Sequence, residues 1–258
     1  MSDPFASARL KIDRAKKHIE ELQVITSALP NAYTATVEID PHGGHEVLKH
    51  DLRDRDKLIG EIALVIGDAV HNLHCALDHA WLATLDKLLP SAVGKHTKFP
   101  IYLTQNDLKA ALHGIKVDVA SPTLFDFIVN KIKPYGGGDD FLWIVHSLDM
   151  DDKHRLILPV FEFSSIQGIE VENEQGQVEN GFTWGTPEKP PYYVHIPLGW
   201  HFKQKGRVSA AVLFVEGAFL QFADTLDMLY AFQVKVWNVV QLLADFVLAE
   251  IGRRALEG

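Results

Sequence analysis

Residues 56–89 read DKLIGEIALVIGDAVHNLHCALDHAWLATLDKLL. No proline interrupts this run, and only Gly60 and Gly67 weaken it, so it predicts one continuous helix about 50 Å long at roughly 1.5 Å per residue. Ile66, Ala69, Val70, Leu73, Ala76, Leu77 and Ala80 share one arc of that helix, which other elements must cover. Phe5, Ala8, Ile12, Ala15, Ile19 and Leu22 recur at steps of three and four and predict a bundle helix over about 3–29. A third long helix is expected over 221–256, where apolar positions cover more than half the circumference; it should be the most buried.

Between these helices the pattern changes to strands. Tyr33, Ala35, Val37 and Ile39 alternate with polar residues, and Asp40-Pro41-His42-Gly43-Gly44 supplies turn chemistry, so a β-hairpin is expected over 32–52. RLILPVFEF, GIEVEN, YYVHIPL and RVSAAVLFVEG follow within 155–216 and read as strands of one antiparallel sheet. Modest helices are expected near 104–113 and 121–133, and another over 139–153 capped by Asp139 or Asp140. The fold class is therefore α+β: a long-helix bundle with an antiparallel sheet formed by inserted strands, in a single domain over 1–258.

Hydrophobic residues make up 47% of the 258 and charged residues 23%, as in an ordinary globular protein. The lone cysteine excludes an internal disulfide and multi-cysteine zinc patterns. With 34 acidic against 25 basic residues the net charge is −9, which disfavours a broad grip on nucleic acid but allows a local basic site. Arg9, Lys11, Arg14, Lys16 and Lys17, and Arg53, Arg55 and Lys57, are basic clusters read as helix surface. No secretory signal pattern opens the sequence and no run of about 18 uncharged apolar residues occurs, so a soluble cytoplasmic protein without a membrane partner is expected.

The long helix carries an unusual polar face. At 100° per residue Asp68, His71, Asn72, Cys75, Asp78 and His79 fall within an arc of about 120°, with His74 at its boundary. A solvent face is normally filled with Glu, Lys and Arg, yet none occurs from Ile62 through Asp86. Short His, Asn, Cys and Asp side chains suit directed hydrogen bonds better than solubility. The stripe is expected to face protein or a crevice.

GDAVHNLHCALDHAW at 67–81, FPI at 99–101 and DDKHRLILP at 151–159 together resemble a group of bacterial proteins in which GDA, HNL, ALDH and DKHR recur. The resemblance covers most of the chain and brings no activity with it. The ALDH segment is also similar to the HEPN motif, an arginine followed by four to six residues and a histidine on a bundle helix. That resemblance implies a dimeric, metal-independent ribonuclease, or a degenerate RNA-binding relative, with RNA as partner and no cofactor. It makes His79 the base, with Asp78 beside it and His74 standing at the arginine position. Cleaving RNA through its own 2′-hydroxyl needs a base and a cation at the phosphorane, and Lys153 or Arg155 could supply the cation. The expected site is thus His79, His74 and Asp78 for catalysis, and Asp68, His71, Asn72, Lys153, His154 and Arg155 for binding, with the DDKHR turn within one side-chain length of the stripe.

Three other readings remain open. Asp68, His71, Cys75 and His79 lie at helical steps that could give one ion two ligands, the rest coming from His146, Asp149 or His154. The stripe could instead be a buried polar network in a binding or scaffold protein. Cys75 could be a nucleophile with His71 or His79 one turn away, although no oxyanion donor is evident.

Overall fold

Every residue of the seam on the first helix is buried, Phe5, Ala8, Ile12, Ala15, Ile19 and Leu22 each being at most 2% exposed. In the computed structural model, which describes residues 3–94, 97–157, 159–184, 192–214 and 223–257, this seam belongs to α1 (Ala6–Ala32), with Phe5 immediately before it. The hairpin strands β1 (Tyr33–Ile39) and β2 (Glu46–Leu52) follow, then α2 (Arg55–Leu88). Next come α3 (Gln105–Gly114), α4 (Val117–Ala120) and α5 (Pro122–Asp126), the last continuing as π-helical turns over Phe127–Ile132. The chain continues through α6 (Asp140–Asp152), β3 (Pro159–Asn173), β4 (Val178–Trp184), β5 (Tyr192–His195), β6 (Trp200–Phe214) and α7 (Thr225–Glu257). The α+β class follows directly.

Contacts divide the chain into two compact units, where the sequence reading takes one domain. Met1–Glu21, Leu64–Ile157 and Leu226–Gly258 form a helical unit, and Leu22–Ala63 with Leu158–Thr225 form a β-rich unit. In the helical unit the predicted arc of α2 is the core: Ile66, Ala69, Val70, Leu73, Ala76, Leu77 and Ala80 are all 0% exposed. By length and composition α2 is the one described helix able to cross a membrane, but 56% of its most apolar window is buried inside the protein. Arg9 donates to Gln241 at 3.3 Å between α1 and α7, and Phe127 stacks on Phe246 with ring centroids 4.4 Å apart. Asp139 caps α6 by accepting from the Leu142 amide, as its position predicts, and also accepts from Lys235 of α7 at 2.5 Å.

The expectation that α7 is the most buried helix is not met. Phe232, Val236, Val240 and Leu243 line its inner face, but Val234, Trp237, Leu248 and Ile251 are exposed. Its neighbours cover one side only, whereas apolar residues run round the helix.

The β-rich unit holds two three-stranded antiparallel sheets, ordered β1-β2-β5 and β4-β3-β6, in place of the single sheet expected. The short strand β5 takes the free edge of β2, pairing Val47 with His195, and the long strands β3 and β6 pair with each other instead. Glu46 links the sheets by accepting from the His201 ring and the Phe202 amide, both at 2.9 Å.

Candidate functional site on the second helix

The end of α6 seats against α2 at Gly67. A Cβ there would lie 2.4 Å from Asp152 Oδ1, so glycine provides the room for this approach. One turn earlier on α6, Asp149 enters the polar stripe and is 1% exposed. Its Oδ1 accepts from His71 Nδ1 at 2.8 Å, and its Oδ2 accepts from Lys153 Nζ at 2.5 Å and lies 3.2 Å from His74 Nδ1. The spacings are helical: His71 and His74 are three apart on α2, and His146, Asp149 and Lys153 follow at three and four on α6.

Two further bonds extend the network. His74 Nε2 and His146 Nδ1 share a hydrogen bond at 3.1 Å, and His71 Nε2 lies 3.4 Å from Cys75 Sγ. An ionised Asp149 accepts the Nδ1–H of His71, which leaves the Nε2 lone pair directed at the Cys75 thiol. His71 remains accessible, its side chain 47% exposed, while His74 is only 4% exposed.

Burial sets most of the protonation states. It would raise the Asp149 carboxyl, but hydrogen bonding from Lys153, the nearness of His74 and hydrogen bonding from His71 outweigh it and hold the group below its ordinary value. Burial pushes His74 down despite Asp149 and Asp78, and pushes His146 down with help from His74, so both imidazoles are neutral at pH 7. Burial raises the Cys75 thiol, with Asp78 and Asp149 acting in the same direction and Lys11 opposing. It also raises the Asp152 carboxyl, assisted by Asp149 and Asp68. Asp152 Oδ1 is buried and unpartnered among the described residues.

The structure brings His71, His74 and Lys153 together on Asp149, with Asp78 at the margin. Asp78 Oδ1 accepts from the Phe99 amide at 2.8 Å, and its Oδ2 is 3.9 Å from His74 Nδ1. Asn72 accepts from Lys11 at 3.4 Å and donates to the Asp68 carbonyl at 2.8 Å, which leaves the exposed Asp68 carboxylate outside the network. His79 is partly buried and its side chain makes no hydrogen bond or ion pair with any described residue. His154 and Arg155 are exposed, Arg155 reaching back to Asp151 at 3.4 Å. Asp149 and His146 are the central residues that sequence reasoning reached only as metal-ligand candidates; their signal is the HSLDMDDK run, which places His, Asp and Lys on one helical face.

The arrangement supports proton transfer more directly than metal binding. Asp149 Oδ1 is taken by His71 Nδ1 and its Oδ2 by Lys153, and no three candidate ligand atoms of the stripe converge within 4.8 Å among the described residues. No protein-family model, no curated protein and no solved structure matches this chain.

Proposed function

We propose that the polar face of α2 is a metal-independent acid–base site acting on RNA in a soluble, cytoplasmic bacterial protein, HEPN-like in its position on a bundle helix. The observation that carries this reading is the sharing of one buried carboxylate by an accessible imidazole and an ammonium: Asp149 bonds His71 at 2.8 Å and Lys153 at 2.5 Å. His71 Nε2 then takes the 2′-hydroxyl proton as the 2′-oxygen bonds to phosphorus, the P–O5′ bond breaks to leave a 2′,3′-cyclic phosphate, the departing 5′-oxygen takes a proton from water, and Asp149 stabilises the imidazolium that results. Lys153 has three donors and spends one on Asp149, leaving two for the charge that develops on the phosphorane. In this reading His71 replaces His79 as base, because Asp149 fixes its tautomer and nothing described fixes His79.

The non-catalytic alternative, a polar network that locks α2 to α6, accounts for the buried His74 and Asp149. It does not require His71 to be 47% exposed. A thiol-nucleophile reading rests on one specific observation, the 3.4 Å approach of Cys75 Sγ to His71 Nε2, which makes Cys75, His71 and Asp149 a nucleophile, base and orienting group in series.

Incubation of purified protein with mixed RNAs in EDTA separates these readings. The RNA reading expects cleavage that is lost in His71→Ala, falls steeply in Lys153→Gln, and persists in His79→Ala and Cys75→Ala. Cleavage lost in His79→Ala but not in His71→Ala would overturn the assignment of the base, and no cleavage by wild type would overturn the RNA reading. A covalent adduct at Cys75 with acyl substrates, absent in His71→Ala, would favour the thiol. The HEPN resemblance also implies a homodimer, which sedimentation equilibrium measures.

A further inference from the structure

We propose that Asp40, His45 and His195 form a binding site for a divalent transition-metal ion of the zinc type, in the β-rich unit and independent of the α2 site. One ligand atom from each of these residues lies within 4.8 Å of the others, the one such convergence of three among the described residues. His45 Nε2 is 3.1 Å from His195 Nδ1 and 3.7 Å from Asp40 Oδ2. Two ligands about 2.0–2.1 Å from a tetrahedral zinc lie roughly 3.3–3.4 Å apart, so the two spacings made by His45 are within a few tenths of an ångström of those an ion needs.

The local chain is built for this convergence. Asp40 Oδ1 accepts from the amides of His42 at 2.7 Å and Gly43 at 2.9 Å, which fixes the carboxylate and leaves Oδ2 facing the imidazoles. A Cβ at Gly43 would lie 2.3 Å from His45 Nδ1; glycine therefore lets the ring lie back over the turn and aim Nε2 at its partners. Gly44, at φ +67°, closes the turn in a left-handed conformation. His195 comes from the end of β5, in register with Val47 of β2.

Two borderline imidazole nitrogens beside one hard carboxylate oxygen suit zinc, cobalt or nickel, whereas magnesium and calcium prefer all-oxygen sites. Three protein ligands leave a fourth position for water, and the exposed His195 gives a hydrated ion a way in. Binding would cross-link the hairpin turn to β5, joining residues 150 positions apart.

The test uses the full chain, stripped with chelator and titrated with zinc against a chromophoric competitor, with cobalt absorption as a second readout. One equivalent of zinc is expected, with no displacement by magnesium at similar concentration. His45→Ala and His195→Ala should each weaken binding by about 10–100-fold or more, as ligand loss exceeds the effect of losing a supporting contact. Asp40→Asn keeps the Oδ1 acceptor of the turn and should still weaken binding, which separates lost ligation from a lost turn. His71→Ala should bind zinc like wild type. Absence of stoichiometric binding, or affinity unchanged in His45→Ala and His195→Ala, would overturn the proposal.

Discussion

Replacing Asp149 with alanine tests the centre of the α2 site most directly. The substitution removes two charge-assisted hydrogen bonds, each worth about 1.5–3 kcal/mol when fully formed away from water. His71 and Lys153, with side chains 47% and 37% exposed, recover solvent when released, so most of that energy is returned. What is not returned is the pairing of His74, whose side chain is 5% exposed and whose Nδ1 loses a carboxylate 3.2 Å away. Stranding that donor costs about 1–3 kcal/mol, and the vacated carboxylate space adds to it. A net loss of roughly 2–4 kcal/mol is expected, below the 3–5 typical of a fully buried broken pair. Urea unfolding followed by far-ultraviolet circular dichroism measures it, with Asp151→Ala as the exposed control expected within about 0.5 kcal/mol of wild type. Nitrogen NMR of the His71 ring adds a local readout: Nδ1–H in wild type and a mixture of tautomers in the variant. A cost no larger than that of Asp151→Ala, with the tautomer unchanged, would refute the network.

Three further outcomes follow from the same geometry. Asp78→Ala should cost about 1–2 kcal/mol by releasing the Phe99 amide it holds at 2.8 Å, and amide exchange at Phe99 should accelerate. Gly67→Ala gains roughly 1 kcal/mol of helix propensity, yet its Cβ would lie 2.4 Å from Asp152 Oδ1; net destabilisation is expected, and a gain of the full propensity term would contradict the close approach. His74 and His146 are both depressed by burial, so the unfolded chain takes up protons below its ordinary histidine value near 6.5 that the folded chain refuses. Stability should therefore fall as pH drops below about 6.5, and His74→Gln should flatten the slope measured by urea unfolding between pH 7 and 5.

The parts of this protein legible in its sequence are those decided within one helix or one hairpin. The α1 seam, the Asp139 cap and the β1–β2 alternation each declare themselves over a few residues. The polar stripe was legible as a face, but its internal division was not: Asn72 and His74 are buried while Asp68 and His71 are exposed. That division depends on which turn of α6 meets α2, and so on Asp152 seating at Gly67, a contact between residues far apart in sequence. The same limit hid the hairpin cluster. DPHGGH reads as a turn by itself, and His195 is one alternating residue in YYVH, until β5 pairs with β2.

His74 sits beside two carboxylates, where a longer, charged side chain would find partners. His74 Nδ1 faces Asp149 at 3.2 Å and Asp78 at 3.9 Å, two acceptors that suit a guanidinium. A buried neutral histidine offers them no positive charge, and Asp149 instead takes its cation from Lys153. His74→Arg should therefore be accommodated if the longer side chain reaches between the carboxylates, and it should make Lys153 partly redundant. A double-mutant cycle reads this directly: Lys153→Met should cost less in the His74→Arg background than in wild type, by about 0.5–3 kcal/mol, the usual coupling of residues sharing one partner. Additive effects would mean that positions 74 and 153 do not share Asp149. Coupling of the opposite sign, with the lysine more necessary beside the arginine, would mean that the arginine draws Asp149 away from His71, and the loss of the His71 Nδ1–H signal would identify that case.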